Sequence, residues 1–171
     1  MSSGAGAAAM AARMRGEREN ARLKILAVED SPSARKVFQA VLLRLGVSLQ
    51  DLRLASSSTE AFQLFSDWRP DLVFVDVELR RSPARPSSAP VSPERAESVP
   101  MDGDELAKHL LAKEPELKLV VVTAYDRDNP RVKALLKIGA ADVIVKPVLA
   151  SRVQEILNRF SPSKDSRERP R

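Results

Sequence analysis

The chain has 171 residues, 43% hydrophobic and 30% charged, enough for one ordinary domain and some unstructured length but not for two cores. With no Cys and a single His, His109, it can form no disulfide, thiolate nucleophile, Cys-ligated centre or histidine relay, so any metal is expected on oxygen ligands, which favours a hard cation such as Mg²⁺. The formal charge of +5 lies outside the patterned regions: residues 1–22, 80–99 and 161–171 together carry six surplus positive charges, and the remainder is one unit negative. No folded basic face for nucleic acid is therefore expected. No apolar run approaches the ~18–20 residues that span a bilayer, so the reading is a cytoplasmic protein with no membrane partner.

Residues 1–22 are Ala/Gly/Ser-rich and then charged, without Leu, Ile or Val, and read as a disordered leader. A domain is expected over 23–160, beginning with a strand at Lys24–Val28. Ser31 and Pro32 open a helix that Gly46 closes, with Val37, Val41 and Leu45 or Phe38, Leu42 and Leu45 as its apolar stripe. A strand at Leu52–Ala55 leads to a helix over Thr59–Trp68, capped by Ser58, with Ala61, Phe62 and Phe65 inward. After a strand at Leu72–Val75, residues 80–99 carry Pro83, Pro86, Pro90 and Pro93 among Ser, Ala and Arg and read as an insert without core residues.

Asp102 and Gly103 precede a helix over Glu105–Lys113, with Leu106, Leu110 and Leu111 inward. Next come a strand at Leu119–Val122 and a helix over Val132–Ile138, begun by Asn129 and Pro130 and stopped by Gly139. A strand at Val143–Val145 and a helix over Val153–Phe160, begun at Ala150 or Ser151, complete the pattern, and 161–171 reads as a disordered basic tail. The strands are almost continuously apolar and alternate with amphipathic helices. That predicts an α/β fold: a doubly wound, five-stranded parallel sheet with helices on both faces and a ligand site at the carboxyl ends of the strands.

Polar residues at those strand ends are the candidate site. The first strand ends in Glu29 and Asp30, the third in Asp76 with Glu78 two residues on, the fourth in Thr123 and Ala124, the fifth in Lys146 and Pro147. These parts suit phosphoryl transfer, in which a carboxylate accepts the group while a metal and a cation neutralise its oxygens. Asp30 and Asp76 are expected to hold Mg²⁺, with Glu29 acting directly or through water, while Lys146 and the Thr123 hydroxyl meet the phosphoryl oxygens and Ala124 leaves space. Taken alone, each residue has an ordinary role: Asp30 reads as a helix cap, Lys146 as a solvated strand-end lysine, Thr123 as a β-former and His109 as a surface residue. Their joint placement carries the chemistry.

The segments LKILAVEDS (Leu23–Ser31), DLVFVD ending at Asp76, PMDGDEL (Pro100–Leu106), VVVTA ending at Ala124 and GAADVIVKP ending at Pro147 resemble, in order and spacing, the receiver domain of two-component response regulators. The resemblance spans the 118 residues left when leader, insert and tail are set aside. It implies a flavodoxin-like receiver fold with Asp76 as phosphoacceptor, Glu29 and Asp30 as metal acids, Glu78 as a metal ligand through its backbone carbonyl, Thr123 as the switch hydroxyl and Lys146 as the phosphoryl-binding lysine. It also implies a sensor histidine kinase or phosphotransfer protein as donor, a downstream target protein as partner, and no enzymatic turnover beyond slow self-dephosphorylation.

Only 11 residues follow Phe160, so output is expected through protein contact, as in stand-alone chemotaxis or phosphorelay regulators. Oligomeric state stays open. Two departures stand out: Val143, three residues before Lys146, occupies a place often aromatic in the family, and the insert splits the loop between Asp76 and Gly103. Tyr125 is expected at the mouth of the pocket. Two alternatives remain: a receiver-like adaptor that works without phosphorylation, and a phosphatase of the haloacid dehalogenase type using Asp76 and Glu78. Chain order opposes the latter, because its nucleophile belongs on the first strand of the series.

Overall fold

In a computed structural model the described residues are 22–80 and 100–161. The expected leader, insert and tail lie outside them except at the boundary positions Arg22, Arg80 and Ser161. Strands and helices alternate throughout: β1 Ile25–Val28, α1 Pro32–Arg44, β2 Leu52–Ala55, α2 Ser58–Trp68, β3 Leu72–Asp76, α3 Gly103–Lys113, β4 Lys118–Thr123, α4 Pro130–Lys137, β5 Asp142–Val145 and α5 Ala150–Phe160. All strand pairs are parallel, in the order β2-β1-β3-β4-β5.

Each strand feeds two cores. Leu26, Val28, Val73 and Val75 pack with α2, α3 and α4 through Phe62, Leu106 and Leu135. Their neighbours Ile25, Ala27, Leu72 and Phe74 pack with α1 and α5 through Phe38, Leu42 and Ile156. Successive side chains of a strand point to opposite faces, so a sheet covered on both sides needs apolar residues at every position, which is why the strands read as runs rather than alternations. Each such side chain contributes roughly 1.5–3 kcal/mol by burial. On α1 the stripe is Phe38 and Leu42, with Phe38 edge-on to Phe74 at 5.0 Å between centroids; Val37 is 60% exposed.

Several boundaries differ from the sequence reading. The cap of α2 is Ser57, not Ser58: Ser57 has the extended backbone of a cap and its Oγ accepts the Glu60 amide at 3.2 Å. Ser58 starts the helix, buried, and its Oγ accepts the Met101 amide at 2.8 Å, tying the start of α2 to the approach to α3. Strand β1 begins at Ile25 rather than Lys24. Strands β3, β4 and β5 extend to Asp76, over Lys118–Thr123 and back to Asp142, because the parallel ladder pairs backbone groups whatever the side chain: Asp76 sits opposite Val122 and Thr123 opposite Val145. Helices α3 and α4 likewise start earlier, at Gly103 and Pro130, and α4 ends at Lys137, one residue before the expected Ile138.

The chain moves outward from β1 to β2, then returns across β1 to β3 and continues to β5. At that reversal the connections leave the carboxyl ends of β1 and β3 in opposite directions and open a crevice between them.

Candidate functional site

Asp76 lies at the centre of this crevice. It is the last residue of the central strand, 3% exposed, and a carboxylate buried that far needs partners. Its Oδ1 accepts the Glu78 amide at 2.9 Å and its Oδ2 accepts Lys146 Nζ at 2.8 Å. Lys146 follows β5, and its amide donates to the Thr123 carbonyl at 2.7 Å, which fixes the stem of the side chain against the end of β4. The same ammonium stands 3.5 Å from Glu29 Oε2 and 3.5 Å from Glu78 Oε2. Burial alone would lower the Lys146 pKa, but the hydrogen bond to Asp76 and the charges of Asp76, Glu29 and Glu78 outweigh it and keep the amine protonated.

Two further acids come from the turn after β1. The Glu29 carboxylate accepts the Ser31 amide at 3.0 Å, and Arg35 of α1 clamps the turn by donating to the Glu29 carbonyl at 2.7 Å and the Asp30 carbonyl at 3.4 Å. Burial pushes the Glu29 carboxyl above its ordinary pKa; the Ser31 amide opposes that shift and the Asp76 charge adds to it. Carboxylate oxygens of Glu29, Asp30 and Asp76 lie within 4.8 Å of one another, a spacing that one cation can bridge. Asp30 is partly exposed and carries Arg80 on its Oδ2, with Nε at 3.1 Å and the backbone amide at 3.3 Å. Burial opposes ionisation of Asp30, but the bonds from Arg80 hold its carboxyl below the ordinary value.

The residues singled out in the sequence thus fall into two groups. Glu29, Asp30, Asp76, Glu78 and Lys146 are brought together directly. Thr123 stands at the neighbouring strand end, fully buried, with its Oγ1 accepting the Tyr125 amide at 3.0 Å. The Ala124 amide donates to Glu78 Oε2 at 3.3 Å. Tyr125 is half-buried against the core, with the Arg131 guanidinium 5.5 Å from its ring centroid. Val143 is buried among the α2–α4 core residues and presents no ring to the pocket. His109 is exposed on α3, edge-on to Phe62.

Among the described residues four carboxyl groups face two cations, Lys146 and Arg80, an ionised set that is net negative with all-oxygen donors, and the donor set fits a hard divalent ion. Beside Asp76 opens a cleft of about 360 Å³ with apolar walls from Val37, Phe38, Pro147 and Val148. A larger cleft, about 670 Å³, lies at the opposite end of the strands against Ile25, Gly46 and Asn158; its carboxylate, Asp51, is bridged to Arg22.

Sequence reasoning missed two residues at the crevice and one charge cluster away from it. Arg80 reads as the first residue of an insert yet lies on Asp30. Gly103 reads as a helix-start residue, and its closeness to Asp76 has no local signal. Asp142 reads as an ordinary strand-start residue, yet it is buried at the start of β5 and accepts Arg127 at 2.5 Å, Arg152 at 2.6 Å and Arg159 at 2.6 Å. A lone acid opening an apolar strand was the one available hint.

No protein-family model matches the chain. The chemotaxis protein CheY of Thermotoga maritima is 27% identical over 138 residues, covering 81% of this chain and 97% of CheY. The response regulator MprA of Mycobacterium sp. (strain KMS) is 31% identical over 144 residues, and the chain spans 53% of its length. Among solved structures, the receiver domain of NtrX from Brucella abortus aligns with a TM-score of 0.62 at 25% identity, covering 80% of this chain and 96% of that one. The receiver domain of a sensor histidine kinase from Pseudomonas aeruginosa aligns at 0.61 and 24% identity, over 82% of this chain and 98% of that one, and its structure has a magnesium ion coordinated in the active-site cleft. Strand order, the acid crevice at the sheet reversal and these likenesses agree: the chain carries a response regulator receiver domain.

Proposed function

We propose that the domain, bounded at 23–160, is a phosphoacceptor switch in which Asp76 takes a phosphoryl group from a phosphohistidine of a sensor histidine kinase or phosphotransfer protein. The observation that carries this reading is the 2.8 Å contact between Lys146 Nζ and the buried Asp76 carboxylate, with Glu29 and Asp30 alongside. An Asp76 oxygen attacks phosphorus; the O–P bond forms as the P–N bond breaks, and the imidazole nitrogen leaves with the electron pair. Lys146 balances charge on the transferring oxygens. The Ala124 amide and the Thr123 hydroxyl, at the end of the adjacent strand, are the donors available to those oxygens. Glu29, Asp30, Asp76 and the Glu78 carbonyl would hold Mg²⁺, which supplies neutralisation of the phosphoryl charge. The apolar cleft beside Asp76 gives a planar donor ring an approach to the carboxylate.

Output is by contact with a downstream target protein in the cytoplasm, with no turnover beyond hydrolysis of the domain's own acyl phosphate. Thr123 reaches the β5 side through its carbonyl, which accepts the Lys146 amide, and the β4–α4 loop reaches it through Arg127 on Asp142. Incubation with Mg²⁺ and a small acyl phosphate, followed by intact mass of wild type and Asp76→Asn, tests the reading.

A further inference from the structure

We propose that the short segment after Asp76 carries internal stand-ins for both ions that the pocket takes up: Arg80 in place of the metal, and Glu78 in place of the phosphoryl oxygens. This inference rests on the phosphoacceptor reading and deepens it.

The segment is anchored at both ends of a short span. The Glu78 amide is bonded to Asp76 Oδ1, and Leu79 is buried in the core beneath α2 and α3, so the charged side chains on either side of Leu79 are held close to the crevice. Arg80 places two donors, Nε and the backbone amide, on one oxygen of Asp30. The same carboxylate contributes an oxygen to the group of atoms close enough to share a cation. A guanidinium and a divalent ion on one carboxylate repel each other, so occupancy by the metal requires Arg80 to withdraw. The Arg80 side chain is 86% exposed, which makes the contact weak and its release easy.

Glu78 does the corresponding thing at the other pole. Its Oε2 accepts the Ala124 amide and lies 3.5 Å from Lys146 Nζ, so an anionic oxygen of the protein already occupies the donor and cation that would serve an incoming phosphoryl group. Neither side chain blocks Asp76 itself, whose Oδ2 remains paired to Lys146. The device is competition for ligands, and each ion displaces its own substitute.

The test follows Mg²⁺ binding by calorimetry and the Arg80 Nε–H resonance by NMR, both without a phosphoryl donor. Mg²⁺ is expected to move that resonance towards the position of a free arginine, and Arg80→Ala to bind Mg²⁺ roughly two- to five-fold more tightly than wild type. At saturating Mg²⁺, Glu78→Ala is expected to be phosphorylated by a small acyl phosphate about three- to ten-fold faster, since the variant keeps the backbone carbonyl and loses only the competing anion. Wild type that binds Mg²⁺ with no shift at Arg80 and no gain in Arg80→Ala overturns the Arg80 assignment and leaves the phosphoacceptor reading standing. An unchanged or slower Glu78→Ala overturns the Glu78 assignment. Failure of both wild type and Arg80→Ala to bind Mg²⁺ overturns the metal-dependent reading and this inference with it.

Discussion

Gly103 stands where a Cβ would come within 2.0 Å of the Asp76 carbonyl oxygen and 2.5 Å of Val77 Cα. Both obstacles are backbone, so neither can rotate away, and the first turn of α3 lies directly against the strand end that carries the Asp76 carboxylate. Gly103→Ala is expected to push α3 and β3 apart at a cost of about 1–3 kcal/mol in urea unfolding, and to slow phosphorylation of Asp76. Unchanged stability would show that α3 starts elsewhere.

The two acids of the β1–α1 turn differ in their existing commitments. Glu29 is held by the Ser31 amide and faces Lys146, whereas Asp30 is shorter, lies in the turn two residues past the end of β1 and has Arg80 as its side-chain partner. Mg²⁺ affinity should therefore fall further in Asp30→Ala than in Glu29→Ala, measured by calorimetric titration. The reverse order contradicts the assignment.

Asp142 gathers Arg127, Arg152 and Arg159, and so joins the β4–α4 loop, β5 and α5. Burial opposes its ionisation, but the Val143 amide and the charges of Arg127 and Arg152 prevail and hold its carboxyl below the ordinary value. A carboxyl depressed in the folded state adds stability that is complete above its unfolded pKa and is lost as the pH falls through the folded one. Asp142→Asn should cost about 1–3 kcal/mol at neutral pH, less than a fully buried pair because two of the arginines are half-exposed. The gap between wild type and variant should narrow under acid conditions. Urea unfolding at the two pH values checks this, and a gap that does not vary with pH would mean Asp142 contributes nothing as a charge.

Val143 has no ring to turn, and the end of β4 and the loop after it are linked to β5 by the Thr123 carbonyl on the Lys146 amide and by Arg127 on Asp142. NMR shift changes on binding a beryllofluoride phosphoryl mimic are expected over Thr123–Ala140 and Val143–Phe160. Changes confined to residues around Asp76 would rule out a switch at the last two βα units.

The alternation of strands and helices was legible because a doubly covered sheet writes itself as apolar runs such as Leu72–Val75, and the crevice was legible because its acids directly follow those runs. Contacts set by the third dimension were not. Arg80 and Asp30 are 50 positions apart, and Asp142 meets arginines 10, 15 and 17 positions away, separations that no helical or strand period encodes. Ser57 and Ser58 carry the same capping chemistry, and only the backbone angle chooses between them.

Asp76 as phosphoacceptor is the central claim, and intact mass after incubation with Mg²⁺ and a small acyl phosphate tests it most directly. Wild type should gain one phosphoryl group, in a reaction abolished by chelation of the metal, and Asp76→Asn, which loses the nucleophilic oxygen at nearly constant volume, should gain none. A single phosphoryl addition to Asp76→Asn under the same conditions would contradict the account.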